Sequence, residues 1–175
     1  MPEDTRKYQF SWDTLGSDMA LARPNLGPDT SIEMYRLFQF TMRDILEQSY
    51  GTKATDELFY KSGQLAGMSF YNQFLADAAD LAELVKRIQD LFVKFRVGIF
   101  RVESINTETM ECYIAVDEDL DCSGLPDIED VICVYDEGLI AGIMEAHTGK
   151  PFTVKEVDCW CTGARTCRFQ AKPAA

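Results

Sequence analysis

Apolar residues recur along the first half of the chain with the three-to-four-residue period of helices that bury one face. From "DTSIEM" onward, Ile32, Tyr35, Leu37, Phe38, Met42, Ile45 and Leu46 mark a first helix, with Thr30 or Ser31 as its N-cap and Gly51 as its stop. A second helix is predicted from about Thr55 to Leu75, with Leu58, Phe59, Leu65, Ala66, Phe70 and Phe74 facing inward. A third runs from about Asp80 to Phe95 on Leu81, Leu84, Val85, Ile88, Leu91 and Phe92, and Gly98 ends it. Between Ile99 and Val116 the period falls to two, with "NTET" (Asn106 to Thr109) as the turn of an antiparallel hairpin. The acidic loop "DEDLDCSGLPD" leads to a fourth helix, predicted from about Pro126 to His147 on the stripe Ile128, Val131, Ile132, Tyr135, Leu139, Ile143 and Ala146, and ended by Gly149 and Pro151. "FTVKEV" and "CRFQA" read as two last strands flanking a cysteine-rich turn. Helices first and strands mostly after predict a single α+β domain: an antiparallel sheet of about four to five strands against about four helices. Residues 1–30 hold Pro2, Pro24 and Pro28 without a sustained period, and form an extension in which "KYQFSW" has the character of one short strand.

The 175 residues suffice to bury a core without disulfides. No apolar run reaches the length of a membrane span, and the charged N-terminus lacks a signal peptide's apolar segment, so a cytoplasmic protein is expected. The net charge of −12, with scattered Lys and Arg, excludes the basic footprint that direct nucleic-acid binding needs. Several motifs fail on chemistry. The acidic loop has Cys122 where a calcium loop needs glycine, and Ile128 where it needs glutamate. In "HTGKP" a proline follows Lys150, which excludes a phosphate loop. His147, the only histidine, falls at a helix end, where it meets the last carbonyls and the negative end of the dipole. Gly63 with Gly67, and Gly138 with Gly142, are i, i+4 pairs suited to close helix packing.

The cysteines change the picture. Reduced thiols clustered in a cytoplasmic protein point to metal or redox chemistry. "EVDCWCTGARTC" puts three of the six cysteines in nine positions. Glu156 and Cys159 have the spacing of a metal knuckle, Gly163 lets the chain reverse to return Cys167, and Cys133 is the best placed fourth donor for zinc. A second set replaces Glu156 with Cys161, and a third reading leaves the cysteines as unliganded buried thiols. Cys112 suits core packing, and Cys122 and Cys161 have no assigned role.

"CSG" in the acidic loop, the helix "CVYDEGLIAG" and the pattern E-x-x-C-x-x-x-G-x-x-x-C, from about Thr30 to the end, resemble the 4-vinyl reductase domain family, also found as the sensory module of phenol-responsive bacterial activators. The resemblance implies a helix-packed antiparallel sheet related to vesicle-tethering complex subunits and haem nitric-oxide sensors. It implies one zinc on three cysteines and a glutamate, which fall here on Cys133, Glu156, Cys159 and Cys167, and dimerisation through the N-terminal segment. Three thiolates and a carboxylate leave no open position, so the ion is expected to be structural, tying the fourth helix to the last hairpin. The expected pocket draws on Phe59, Phe70, Phe74, Phe92, Phe95, Phe100, Tyr113 and Trp160. The family's phenol sensors read the hydroxyl with a histidine and a tryptophan. Here His147 lies outside that region and neither Trp12 nor Trp160 aligns, so phenol itself is not implied. The resulting expectation is a ligand-binding or sensor module for a small apolar or aromatic molecule, acting through a homodimer or a signalling partner. The alternatives are a reductase of a tetrapyrrole vinyl group, for which the chain has no flavin or nicotinamide signature, and a non-catalytic scaffold.

Overall fold

The computed structural model describes residues 6–16 and 18–174. Five helices, α1 (Met19–Ala22), α2 (Ile32–Tyr50), α3 (Thr52–Phe74), α4 (Leu81–Lys94) and α5 (Val134–Thr148), accompany four strands, β1 (Ile99–Ile105), β2 (Cys112–Asp117), β3 (Phe152–Asp158) and β4 (Cys167–Pro173). The sheet is antiparallel throughout, in the order β1-β2-β4-β3. This is the α+β arrangement expected, with one added four-residue helix in the extension.

Strand alternation sets the core. Cys112, Ile114 and Val116 on β2, Phe152 and Val154 on β3, and Cys167, Phe169 and Ala171 on β4 point inward and are buried. The outer face carries a charge ladder in which Arg101 pairs with Asp117, and Arg168 with Glu103 and Asp158. The β1–β2 turn is closed by Asn106, whose Oδ1 accepts from the backbone N–H of Glu108 and Thr109.

Helix α5 lies between the sheet and α3 and is buried on most sides. Its approach to α3 is set by the four glycines. A Cβ on Gly63 would stand 2.0 Å from the carbonyl oxygen of Tyr135, and one on Gly67 2.1 Å from that of Leu139. Reciprocally, Gly138 would meet the Tyr60 carbonyl at 2.1 Å and Gly142 that of Gln64 at 2.2 Å. Both helices thus present bare backbone along one stripe, the close packing that the i, i+4 spacing predicts.

Helix α4 follows its sequence closely. Asp80 accepts from the Glu83 N–H at 2.8 Å, Glu83 returns to the Ala79 N–H, and Leu84, Ile88 and Phe92 are buried at helical spacing. His147 occupies the last turn of α5, with Nδ1 3.4 Å from the Tyr71 hydroxyl.

Four expectations are corrected. The fourth helix begins at Val134, not near Pro126: the N–H groups of Ile128 and Glu129 both bond the Cys161 carbonyl, and Glu129 has φ 58°, so the segment is an extended strap over the cysteine turn and Ile128 is exposed. The second helix starts at Thr52, and its Leu58 and Leu65 face out, because the glycines take the face toward α5. The first helix forms where expected but buries none of its residues; Leu37, Phe38, Met42 and Ile45 are exposed, and polar contacts pin the helix instead. "KYQFSW" contains no strand: Trp12 opens a single helical turn, Trp12–Leu15.

Candidate functional site

Four cysteines from four segments meet under the sheet. Cys122 comes from the acidic loop after β2, Cys133 caps the N-terminus of α5, Cys159 follows β3 and Cys167 opens β4; all four are fully buried. Their Sγ atoms lie within 4.8 Å of one another. Cys122 to Cys167 is 3.0 Å, Cys133 to Cys167 3.7 Å and Cys133 to Cys159 4.0 Å. Four thiolates around zinc, with bonds of about 2.3 Å, stand about 3.8 Å apart, so the donor set fits a tetrahedral ion.

Local chemistry places each thiol. Asp119 Oδ1 accepts from the N–H groups of Asp121 and Cys122, curling the acidic loop so that Cys122 turns inward. After Cys159 the chain makes one helical turn, Trp160–Thr162, in which the Thr162 hydroxyl donates to the Cys159 carbonyl and accepts its N–H. Gly163, at φ 85°, then reverses the chain toward Cys167. Cys161 is buried beside this turn but outside the four, and burial and the neighbouring Cys159 push its thiol up to about 12. Hydrogen bonds from Cys122, Cys133 and Cys167 hold Cys159 far below the ordinary thiol range, making it the first thiolate of the set.

Glu156 sits against the cluster. Its Oε2 accepts from the Cys133 N–H at 3.0 Å, while its Oε1 is buried without a hydrogen-bond partner. Burial and the charge on Cys159 push its carboxyl up to about 8. The structure therefore brings Cys133, Cys159 and Cys167 together as the spacing suggests, and offers two candidates beside them, Cys122 and Glu156. Cys122 was missed in the sequence, where its one signal was the "CSG" within a loop that otherwise reads as a failed calcium motif. Glu137, almost fully buried, accepts from the Glu156 N–H at 2.9 Å and from Lys155 Nζ at 2.8 Å, which holds β3 against α5.

The acidic loop also reaches a cavity. A space of about 640 Å³ lies between α3, α4, α5 and the N-terminal segment, walled by Phe10, Trp12, Phe70, Phe92 and Phe95 and floored by Tyr35, Asp121, Tyr135 and Asp136. Trp12 packs edge-on against Phe74 at 4.9 Å, and Phe74 lies 5.2 Å from Phe70 and 5.6 Å from Phe95. A second space of about 460 Å³ between α2, α3 and α5 shares Tyr35, Ser62 and Tyr135 with the first and is lined by Phe59. Of the expected pocket residues, Phe70, Phe92 and Phe95 line the larger cavity and Phe59 the smaller, while Phe74 and Phe100 back the walls, Phe100 lying 5.3 Å from Phe92. Tyr113 lies on the outer face of β2, and Trp160 closes the cysteine turn with its Nε1 donating to the Leu125 carbonyl; neither lines a cavity. Trp12 lies in the extension and had no sequence signal for a place in a cavity wall.

The floor is acidic. Tyr35 Oη donates to Asp121 Oδ1 at 2.8 Å and Gln39 Nε2 to Oδ2 at 2.7 Å, which joins α2 to the acidic loop. Arg36 binds the carbonyls of Leu120 and Ser123 in the same loop. Burial, and next the charge of Asp121, raise Asp136 well above the usual carboxylate range and lift Asp119 to about 7.

The fold is shared with known proteins. The chain is 22% identical over 147 residues to an uncharacterized protein of Methanocaldococcus jannaschii, covering 84% of this chain and 80% of that one. The crystal structure of a vinyl-4-reductase family protein from the same organism superposes with a TM-score of 0.58 at 18% identity, covering 86% of this chain and 85% of that one. The phenol-responsive sensory domain of the transcription activator PoxR, solved with phenol, gives a TM-score of 0.60 at 16% identity, covering 76% of this chain and 71% of that one. These identities establish likeness of fold. The family model of the vinyl-4-reductase (V-4-R) domain matches residues 112–173, the span that supplies all four clustered cysteines. Residues 112–173 are thus a vinyl-4-reductase domain, and the likeness to the 4-vinyl reductase domain family read from the sequence holds.

Proposed function

We propose that the protein is a cytoplasmic ligand-binding module of the sensory type, taking a small apolar or aromatic molecule in the larger cavity and stabilised by a structural zinc. The observation that carries this reading is the aromatic-walled cavity whose cover is the N-terminal segment and whose floor is the loop bearing Cys122. Its volume lies within the range of about 300 to 1,000 Å³ usual for small-molecule sites. The fold it shares with a phenol-responsive domain agrees with such a use. Zinc is assigned to Cys133, Cys159 and Cys167, with the fourth position taken by Cys122 on the distances or by Glu156 on its orphaned oxygen. The ion would supply no chemistry beyond tying α5, the acidic loop and the β3–β4 connection to one point.

Trp12 provides the test. In a Trp160→Phe background it is the remaining tryptophan of the two in the chain, and its emission should change saturably when naphthalene or 1-naphthol is added. Ala66→Phe, which fills the cavity from α3, should weaken that response at least tenfold. An emission that does not move with any aromatic probe would sink the ligand-binding reading.

The output is assigned to a homodimer. Helix α2 exposes Met34, Leu37, Phe38, Met42 and Ile45, and a helical face meeting its own copy about a twofold axis is self-complementary. Sedimentation should find dimers that a Phe38→Glu, Ile45→Glu double variant converts to monomers, whereas a monomeric wild type would remove the dimer from this reading.

A further inference from the structure

The larger cavity combines apolar walls with a floor of carboxyl groups that protein cations leave largely uncompensated. Asp121 and Asp136, 3% and 8% exposed, both line it. Each Asp121 oxygen accepts one hydrogen bond, from Tyr35 and from Gln39, and keeps a lone pair free. Among the described residues no Lys or Arg forms an ion pair with Asp136, and its nearest charged neighbours include another acid, Asp119, with a carboxylate oxygen inside the same 4.8 Å group. Basic groups nearby are committed or peripheral. Arg36 directs its guanidinium to the Leu120 and Ser123 carbonyls, and Arg6 lines the cavity from an exposed position at its edge.

Buried carboxylates are retained where something positive meets them. The aromatic faces of Trp12, Phe70, Phe92 and Phe95 favour the same partner, because ring faces attract cations. A carboxylate-bearing ligand would meet two carboxyl groups of its own kind. We propose that the molecule this cavity takes is an organic amine, with its ammonium group between Asp121 and Asp136 and a one- or two-ring apolar body against the aromatic walls. The inference rests on the reading of the cavity as a ligand site and adds the head group to it. An ammonium has three donors and no acceptor, which matches a floor that offers acceptors.

The test uses the full metal-loaded chain and three probes with one body: 2-phenylethylamine, 2-phenylethanol and phenylacetate, titrated by calorimetry. The amine should bind at least tenfold more tightly than the alcohol, and phenylacetate more weakly than the alcohol. Asp136→Asn and, separately, Asp121→Asn should each lower the amine-to-alcohol affinity ratio about tenfold. Alcohol and amine binding equally in the wild type would overturn the head-group assignment and leave the cavity as an apolar site. If none of the three binds and naphthalene also leaves Trp12 unmoved, the cavity reading fails and takes this inference with it. Two equivalents of metal per chain, the second lost in Asp136→Asn, would put an ion in place of the ammonium and overturn it as well. Because the comparison among the three probes is made on the wild type, a poorly folding variant does not leave the assignment undecided.

Discussion

Gly67→Ala is expected to remove most of the protein's folded population. The added Cβ would stand 2.1 Å from the Leu139 carbonyl oxygen and 3.0 Å from the Ile143 nitrogen, all backbone atoms of α5. A side chain can change rotamer to escape such a contact; a helix backbone has to translate. The shift would propagate, because Gly63, Gly138 and Gly142 are held at the same separation on the same stripe. Ordinary overpacking costs about 1–3 kcal/mol, and a backbone-to-backbone clash should reach or exceed the upper end of that range. At about 2–4 °C per kcal/mol for a chain of this size, the melting temperature should fall by roughly 10 °C or more. Gly149→Ala is the control: it faces open space at φ 69° and should lose only the cost of a left-handed alanine, about 1–2 kcal/mol. Thermal melts followed by circular dichroism decide it, and equal losses in the two variants would mean that α3 and α5 can separate without penalty.

Removing the metal donors should have an effect of similar size. Structural zinc sites can contribute about 10–16 kcal/mol of apparent binding free energy in small peptides, comparable with the whole stability of a domain. The purified wild type should carry about one zinc per chain, and Cys133→Ser should lose it and melt early, since Cys133 lies within sulfur contact of both Cys159 and Cys167. The fourth position is decided by two further variants. Loss of zinc in Cys122→Ser with retention in Glu156→Gln assigns the thiolate, and the reverse result assigns the carboxylate. Cys161→Ser should keep the ion in either case. A well-folded wild type that purifies without metal, and takes up none when zinc is supplied, would reduce the cluster to packed thiols.

What could be read from the chain divides along a physical line. Features fixed by local spacing were legible: the Asp80 and Glu83 cap of α4, the alternation of β2, β3 and β4, the paired glycines, and the turn that returns Cys167 to Cys159. Features fixed by distant partners were not. The stripe through Ile128, Val131 and Ile132 has helical spacing, but the Cys161 carbonyl, far along the chain, takes the N–H groups that a helix there would need. The apolar face of α2 looks like a core face, yet polar side chains on the same helix, Tyr35, Arg36 and Gln39, seek the acidic loop and turn the apolar residues outward. Cys122 joins the cluster by the folding of that loop, and Trp12 joins the cavity by the return of the N-terminal segment; no periodicity encodes either.

The glycine stripe also limits how the protein can respond to an occupant. Helices that meet through side chains can slide by small rotamer changes, the basis of shear motions. Helices α3 and α5 meet backbone to backbone at four points, so displacement along their axes drives the flanking side chains, Phe70 and Met144 among them, into carbonyl groups. The pair has one register and behaves as a fixed spine. Any movement on filling the cavity is therefore left to its cover: the segment carrying Trp12, and helix α2, hinged on the acidic loop by Tyr35, Arg36 and Gln39.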